Sequence, residues 1–424
     1  MEQQEDAYTV KVLQSYGEIF RKKSIQDFIS YFNVRYKKIS SFLQKKQELQ
    51  EVTSIKRALS KTEKEQVALI GLLYENAKTK NGNIILTIED PTGQIKAIVH
   101  NSKKDIMDMA EELVYDECIG IVGTLSNGVV FVNNIIIPDI PATKELKKGP
   151  TEQYAAFTGD THIGSKQFLG ESFSKMISWL NGETGTDEQK RIAEKTKYLF
   201  LAGDLVDGLG VYPSQYNDLE IRDTKQQYQK LADELRKIPE RIAIILCPGN
   251  HDSLRLSEPQ PPLPKDFAQA LYEMPNVFIV SSPAMVNIGA KDSFPGFDVL
   301  LYHGTSFQYY ADKVKSISSA GGQKRADLIM KFLLQRRHLA PSHTSTQYMP
   351  EVEDDPLVID KVPDFFVTGH IHRATIASYR NVALLNCSCW IAMTEYQEKV
   401  GLIPEPSRII IANLQTRENR IMRF

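Results

Sequence analysis

Five short motifs in the last 270 or so residues each place an Asp, Asn or His where a divalent metal could use it. They read Gly159-Asp160-Thr161-His162, Gly203-Asp204-Leu205-Val206-Asp207-Gly208, Pro248-Gly249-Asn250-His251-Asp252, Tyr302-His303-Gly304 and Gly369-His370-Ile371-His372. A phosphodiester repels nucleophiles because its phosphate is anionic. Two divalent ions about 3.5–4 Å apart overcome the repulsion by lowering the pKa of a bound water and clamping the non-bridging oxygens. Such a site needs one carboxylate shared by both ions. It also needs several neutral ligands, so that its net charge still attracts phosphate. The motifs supply that balance in Asp160, Asp204, Asn250, His162, His303, His370 and His372.

Asp160-x-His162 puts alternate residues on one side of an extended segment, so both can reach one ion. Asp204 lies in a tight Gly-Asp turn and is the natural bridge, because glycine beside a ligand lets backbone and substrate come close. Asn250 offers a neutral oxygen. His251 could instead face the phosphate, as an imidazolium that stabilises developing charge or protonates the leaving alkoxide. Asp252 could orient His251 and raise its pKa. Mixed oxygen and imidazole ligands suit Mn²⁺, Fe²⁺ or Zn²⁺ better than Ca²⁺. Taken singly, each motif has a bland reading: Gly-Asp is a common turn, and Asn-His-Asp makes a serviceable helix cap. Jointly the bland reading fails, because five of the eight histidines fall in these motifs. His100, His338 and His343 have no such context and read as surface or core residues. The chain has no Gly-x-x-x-x-Gly-Lys-Ser/Thr loop for nucleotide phosphates and no Gly-x-Ser-x-Gly nucleophile elbow.

The elements that must carry these loops are legible around them. Tyr154–Thr158, Tyr198–Ala202, Ile242–Leu246, Val299–Tyr302 and Phe365–Thr368 are short apolar runs suited to strands buried on both faces, and most motifs follow one. Ser172–Leu180 and Thr224–Lys237 are helical by periodicity, and Phe307–Leu334 is mostly helical with an interruption at Gly321-Gly322. Arg408–Leu414 and Asn419–Phe424 make a closing hairpin. Upstream, Val67–Tyr74, Ile84–Ile88 and Ile95–Val99 read as strands, Lys103–Leu113 as a helix, and Ile119–Thr124 and Val129–Ile137 as two more strands. That order is the one a five-stranded OB barrel requires. Such barrels often bind single strands through stacking aromatics, but aromatics are few here (Tyr74, Phe131), so a spacer or interaction role stands beside a DNA-binding one. Residues 8–46 read as helical, from Val10, Leu13 and Ile19 and then Ile25, Phe28, Ile29 and Phe32. Lys37-Lys38 and Lys45-Lys46 fit a solvated helix face or a phosphate-contacting one. Lys313, Lys315, Lys324, Arg325, Arg336 and Arg337 pose the same choice between a solvated face and DNA-backbone contact.

Composition sets outer bounds. A chain of 424 residues has room for two or more domains, and 42% apolar with 25% charged residues is ordinary for a globular protein. A formal charge of −2 exerts no global pull toward nucleic acid, so any such contact must use local basic patches. Cys118, Cys247, Cys387 and Cys389 are too scattered for a disulfide framework and read as buried small apolar residues. The sequence opens Met-Glu-Gln-Gln-Glu-Asp, unlike a signal peptide, and no run of about 18 apolar residues exists to span a membrane. The expectation is an intracellular, cytoplasmic and nucleoid-associated protein with no membrane contact.

The motif set resembles the calcineurin-like metallophosphoesterase superfamily. Within it the sequence is most similar to the small subunits of archaeal family D DNA polymerases. Three features carry that narrower resemblance: the OB-like region before the phosphoesterase motifs, Arg337-His338-Leu339-Ala340-Pro341 with the Pro- and acid-rich loop after it, and Asn386-Cys387-Ser388-Cys389-Trp390 with Thr394-Glu395-Tyr396-Gln397. The resemblance spans roughly residues 25–424. It implies an α/β (α+β) two-domain architecture, an N-terminal OB barrel followed by a phosphoesterase β-sandwich flanked by helices. The segments would be a helical 1–48, the barrel at 49–141, a linker at 142–152 and the phosphoesterase at 153–424. It also implies a 3′→5′ proofreading exonuclease with two divalent ions, Mn²⁺ first and Mg²⁺, Fe²⁺ or Zn²⁺ as alternatives. Asp160, His162, Asp204 and His372 would hold the first ion, and Asp204, Asn250, His303 and His370 the second. His251 matches the phosphate-facing catalytic histidine. The implied partners are a large polymerase subunit, the 3′ end of a primer, and a sliding clamp through the assembled enzyme. In the related B-subunits of eukaryotic polymerases the ligand set is degraded; here none of its positions is substituted. Many relatives carry a long extension before the OB region that is nearly absent here. Two rival readings remain: a non-hydrolytic scaffold on the same fold, and a stand-alone phosphoesterase.

Overall fold

The computed structural model describes residues 8–17, 21–61, 64–252, 255–350, 353–399 and 401–424. Ile19 and the opening Met-Glu-Gln-Gln-Glu-Asp lie outside the described residues. By contacts the chain forms two compact units. One comprises Thr143–Thr305 and Val362–Phe424 with the N-terminal strand; the other comprises the stretch up to Ala142 with Ser306–Lys361. Within the expected 153–424 segment, Ser306–Lys361 makes its contacts with the barrel, where Arg336 Nε meets Glu117 Oε2 at 3.0 Å and Ser316 N donates to Glu112 Oε1 at 2.9 Å.

The strands, in chain order, begin with β1 (Val10–Ser15). The barrel follows with β2 (Gln66–Lys78), β3 (Ile84–Asp90), β4 (Gly93–Val99), β5 (Cys118–Ser126) and β6 (Val129–Ile136). It closes in the order β2-β3-β4-β6-β5, with the helix Lys104–Glu111 between β4 and β5. This is the order expected for an OB barrel, and alternate apolar residues of each strand (Leu86 and Ile88 on β3, Ile95 and Ala97 on β4) fill its interior.

The expectation of a helix over residues 8–46 holds only for Ile25–Leu43. β1 is a strand, paired antiparallel with Ala284–Ile288. An edge strand has one neighbour and no strict inside–outside alternation, and its Val10 and Leu13, three residues apart, mimic a helical spacing. The helix itself is fixed by a buried ionic cluster. Arg35 Nε meets Asp355 Oδ2 at 2.8 Å, His338 Nε2 meets the same oxygen at 2.9 Å, and Tyr31 Oη donates to Asp355 Oδ1 at 2.6 Å. All four side chains are fully buried. Lys38 pairs with Asp354 and Asp360.

The other unit is a sandwich of two six-stranded sheets. Its strands are β7 (Tyr154–Thr158), β8 (Thr196–Ala202), β9 (Ala243–Cys247), β10 (Val277–Ile279), β11 (Ala284–Ile288), β12 (Phe297–Leu301), β13 (Phe365–Thr368), β14 (Thr375–Tyr379), β15 (Val382–Asn386), β16 (Arg408–Asn413) and β17 (Asn419–Arg423). The sheets run β10-β9-β8-β7-β16-β17 and β1-β11-β12-β13-β15-β14. β7, β8, β9 and β10 are mutually parallel in the first, as are β12, β13 and β15 in the second. Every residue of β7, β8, β9, β12 and β13 is buried, which is why these strands read as unbroken apolar runs. Phe157, Phe200, Val299 and Val367 meet between the sheets. On the outer face of the first sheet, the helices Gly170–Leu180 and Thr224–Leu235 cover Leu199, Ile244 and Ile411.

Candidate metal centre

The five motifs follow β7, β8, β9, β12 and β13 directly, so parallel strands from both sheets deliver them to one end of the sandwich. Open α/β sheets place ligand sites at the carboxyl ends of their strands for this reason. Each loop must turn within a residue or two of a buried strand end. Asp160, His162, Asp204, His370 and His372 do so with φ of +49°, +47°, +47°, +70° and +57°. Non-glycine residues enter this region at a cost of roughly 1–2 kcal/mol each, and Asp, Asn and His do so most readily. The strain therefore falls on residue types able to hold a metal ion. Two glycines are fixed by close approach. A Cβ at Gly249 would lie 2.3 Å from Asp204 Oδ1, and one at Gly369 would lie 2.6 Å from Asp160 Oδ2.

The donor atoms converge in two groups that share Asp204. Asp160, His162, Asp204 and His372 each bring one ligand atom within 4.8 Å of the others, and so do Asp204, His303 and His370. In the first group His372 Nε2 lies 3.3 Å from Asp160 Oδ1 and 3.3 Å from His162 Nε2, which is 3.7 Å from Asp204 Oδ2. In the second, His303 Nε2 lies 3.3 Å from Asp204 Oδ2, 3.0 Å from Asn250 Oδ1 and 3.2 Å from His370 Nδ1. Bonds of roughly 2.0–2.2 Å to a common cation put neighbouring ligands at about this spacing. The Asp204 oxygen that faces both groups is Oδ2; Oδ1 accepts from His251 N at 2.9 Å.

Electrostatics point the same way. Burial alone would depress His303, but Asp204 and Asp160 overcome it and hold the ring at about 9. His372 is likewise carried well above its ordinary value against its burial, with Cys389 and Asp160 beside it. Burial opposes ionisation of Asp204, yet the surrounding imidazoles hold its carboxyl well below the usual range. Burial and the neighbouring His303 push His370 down to about 4. His303 and His372 are thus drawn toward the charged form by the groups beside them, while burial holds His162 and His370 down. The donor set of two carboxylates, four imidazoles and one amide oxygen fits divalent ions.

Groups behind the ligands fix the rings. His303 Nδ1 faces the Ala202 carbonyl at 2.8 Å, which leaves Nε2 toward Asp204. His162 Nδ1 lies 3.0 Å from Asp207 Oδ1. His251 Nδ1 lies 2.8 Å from the main-chain oxygen of Asp207, so its Nε2 faces away. Gln215 Nε2 grips Asp207 through its main-chain oxygen at 2.7 Å and Oδ2 at 3.0 Å. His372 Nδ1 meets Gln397 Nε2 at 2.8 Å. Trp390 N donates to Asp160 O at 2.9 Å.

The expected partnership of Asp252 with His251 is not found. The Asp252 carboxylate is buried and accepts from Leu205 N at 2.7 Å, Val206 N at 3.0 Å and Gly249 N at 3.1 Å. Three backbone amides that need an acceptor outcompete a neighbouring ring, so Asp252 ties the β8 and β9 loops together, and Asp207 orients His251 instead. Burial and nearby Asp204 raise Asp252 to about 7. Asp207 and Gln215 received no role from sequence reading. The signal for Asp207 was present, as the second Asp of the Gly-Asp-x-x-Asp-Gly motif; Gln215 carried none. The basic residues weighed for DNA contact divide. Arg336 and Arg337 are buried, the first against Glu117 and the second on the carbonyls of Ile359 and Asp360, which removes both from any surface patch. Lys315 pairs with Glu111 and Arg325 with Asp327.

A metallophosphoesterase is the class that this fold and site define: a profile of the family described as calcineurin-like phosphoesterase matches residues 155–374. The DNA polymerase II small subunit of Methanothermobacter thermautotrophicus is 37% identical over 389 residues, which is 92% of this chain and 78% of that one. The Thermoplasma acidophilum protein of the same name is 38% identical over 400 residues, 93% of this chain and 77% of that one. The Methanocaldococcus jannaschii protein is 35% identical over 398 residues, and there the match covers 92% of this chain but only 64% of the relative. The chain belongs to this family of archaeal DNA polymerase II small subunits, as its motifs and closing segment suggested. Among the described residues, no helix is long and apolar enough to cross a membrane.

Proposed function

We propose that this chain is a two-metal 3′→5′ DNA exonuclease that removes nucleotides from a primer end and works beside a large subunit in which synthesis resides. The observation that carries the hydrolytic part is the position of Asp204 Oδ2, which faces both donor groups at once, 3.7 Å from His162 Nε2 and 3.3 Å from His303 Nε2. Asp160, His162, Asp204 and His372 would hold one ion, and Asp204, Asn250, His303 and His370 the other. Bound Mn²⁺, or another divalent ion, would neutralise the phosphate and lower the pKa of the attacking water. The chain's own part is arrangement and proton delivery. His303 and His162 keep their ring nitrogens aimed inward because Ala202 O and Asp207 Oδ1 hold the opposite nitrogens. His251, partly exposed, is anchored at Nδ1 by Asp207 O and presents Nε2 to the substrate side, where it can protonate the departing 3′-oxygen.

The polarity and the large partner are supported by membership of a family named as polymerase small subunits. The test offers the full chain, with Mn²⁺, a labelled primer with a mismatched 3′ end and a chromogenic phosphomonoester. Stepwise loss of 5′-mononucleotides from the primer is the expected result. Cleavage of the monoester alone would contradict the exonuclease reading. No cleavage of either, with any divalent ion, would leave the chain a scaffold.

A further inference from the structure

The loop after Asp207, residues 208–222, carries large groups that the hydrolytic chemistry does not use. Its position relative to the site is fixed by buried Gln215, whose Nε2 holds Asp207 and whose Oε1 accepts from Val211 N at 2.9 Å. The Tyr212 ring lies 6.3 Å from the His251 ring, and its hydroxyl donates to Asp218 Oδ2 at 3.1 Å, which keeps the ring from swinging away. Next to Gln215 in sequence, Tyr216 is 55% exposed, with the Arg222 guanidinium 4.4 Å from its ring centroid. Leu209 is 50% exposed. Tyr212 stands beside His251, and the same loop, tied to Asp207 through Gln215, leaves Tyr216 and Leu209 open; exposed aromatic surface on such a loop marks a place where something flat and apolar is received.

The charges of the loop say what kind of thing. Asp218 and Glu220 outnumber Arg222, so the loop does not track phosphates; its recognition works through ring faces. In a nucleic-acid strand, the flat group one sugar away from the cleaved phosphate is a base. We infer that Tyr216, backed by Arg222, and Tyr212 form a stacking platform for an unpaired base flanking the scissile phosphate. The inference rests on the nuclease reading above and adds to it the residues that select an unpaired end. A base within a duplex is already stacked and paired, and reaches the platform only by leaving that stack.

The experiment uses the full chain with Tyr216→Ala and Tyr216→Phe. The first readout is quenching of 2-aminopurine at the 3′ end of a single-stranded oligonucleotide, titrated in EDTA so that no cleavage occurs. The second compares, in Mn²⁺, the KM for that oligonucleotide with hydrolysis of bis(p-nitrophenyl) phosphate, a diester without a base. Loss of one stacking contact predicts a KM raised about tenfold and quenching lost in Tyr216→Ala, with the small diester cleaved as by wild type and Tyr216→Phe behaving as wild type. Equal quenching and equal KM in wild type and Tyr216→Ala would overturn the platform while leaving the nuclease intact. So would an unchanged KM with loss of binding to the large subunit, which would make the surface a protein contact. If wild type cleaves neither substrate, the nuclease reading fails, and the quenching titration still decides the platform by itself.

Discussion

Asp207→Asn removes one charge and keeps the shape of the side chain. The Asp207 carboxylate stands behind His162 at 3.0 Å and also accepts from Gln215 Nε2 at 3.0 Å. Its main-chain oxygen, which the substitution leaves in place, holds His251 Nδ1 at 2.8 Å. The substitution therefore loosens the hold on a ligand of the first donor group and keeps the hydrogen bond to His251, whose Nδ1 lies farther from the carboxylate, 3.7 Å from Oδ1. A hydrogen bond to a charged group contributes about 1.5–3 kcal/mol net. At about 1.4 kcal/mol per decade that is roughly a 10–100-fold loss of affinity for the ion held by His162. The same range is expected for loss of a carboxylate behind a metal-binding histidine, so two routes to the magnitude agree. The assay is calorimetric titration of metal-free protein with Mn²⁺, followed by diester hydrolysis at saturating Mn²⁺. The expected result is one weakened site and a kcat close to wild type. An unchanged Mn²⁺ affinity would refute the reasoning. A kcat that stays low at saturating metal would show that the carboxylate acts through His251 instead.

Asp204→Ala deprives both donor groups of their common oxygen and leaves the second with no carboxylate, so bound metal falls at both positions, most at the second, and cleavage is abolished; normal rates would exclude the shared role. His251→Ala lowers kcat by about 10²–10⁴-fold while metal content stays at its wild-type value, and loss of metal there would make His251 a ligand. In the barrel's unit, Arg35→Ala leaves Asp355 and His338 buried without their guanidinium and lowers stability by about 3–5 kcal/mol in urea melts, whereas a change near zero would mean that the cluster relaxes into water. Burial and Arg35 hold His338 down at about 4, below its unfolded value near 6.5, so its contribution is complete above pH 6.5 and is lost as pH falls through 4. His338→Gln should flatten the fall in stability over that window, which is on the order of 3 kcal/mol in wild type; parallel curves would contradict the linkage.

What the sequence disclosed follows from physical constraint. β7, β8, β9, β12 and β13 are buried on both faces, so selection on burial writes them as plain apolar runs. The loops after them need glycine where atoms nearly touch, as at Gly249 and Gly369, so the motifs keep a recognisable form. The barrel was legible because each of its strands alternates around one interior. Peripheral strands gave weaker signals. β14 and β15 join through Arg380-Asn381, both at positive φ, a two-residue turn without the Asn-Gly pair that usually announces one. β1 is a single edge strand whose partner lies some 270 residues away, and no local pattern encodes such pairing. Within the site, the donors were readable because few residue types bind metal. Their supports were not: Gln215, Gln397 and Trp390 are ordinary residues until folding brings them against Asp207, His372 and Asp160. Asp252 misled because adjacency to His251 in sequence resembles partnership, whereas the backbone turns the two side chains to different neighbours.

The most direct measurement is anomalous diffraction from crystals of the full chain soaked in Mn²⁺. The account predicts two peaks about 3.5–4 Å apart, flanking the Asp204 carboxylate, with His162 and His372 around one and Asn250, His303 and His370 around the other. A single peak, or none among these side chains and Asp160, would contradict it.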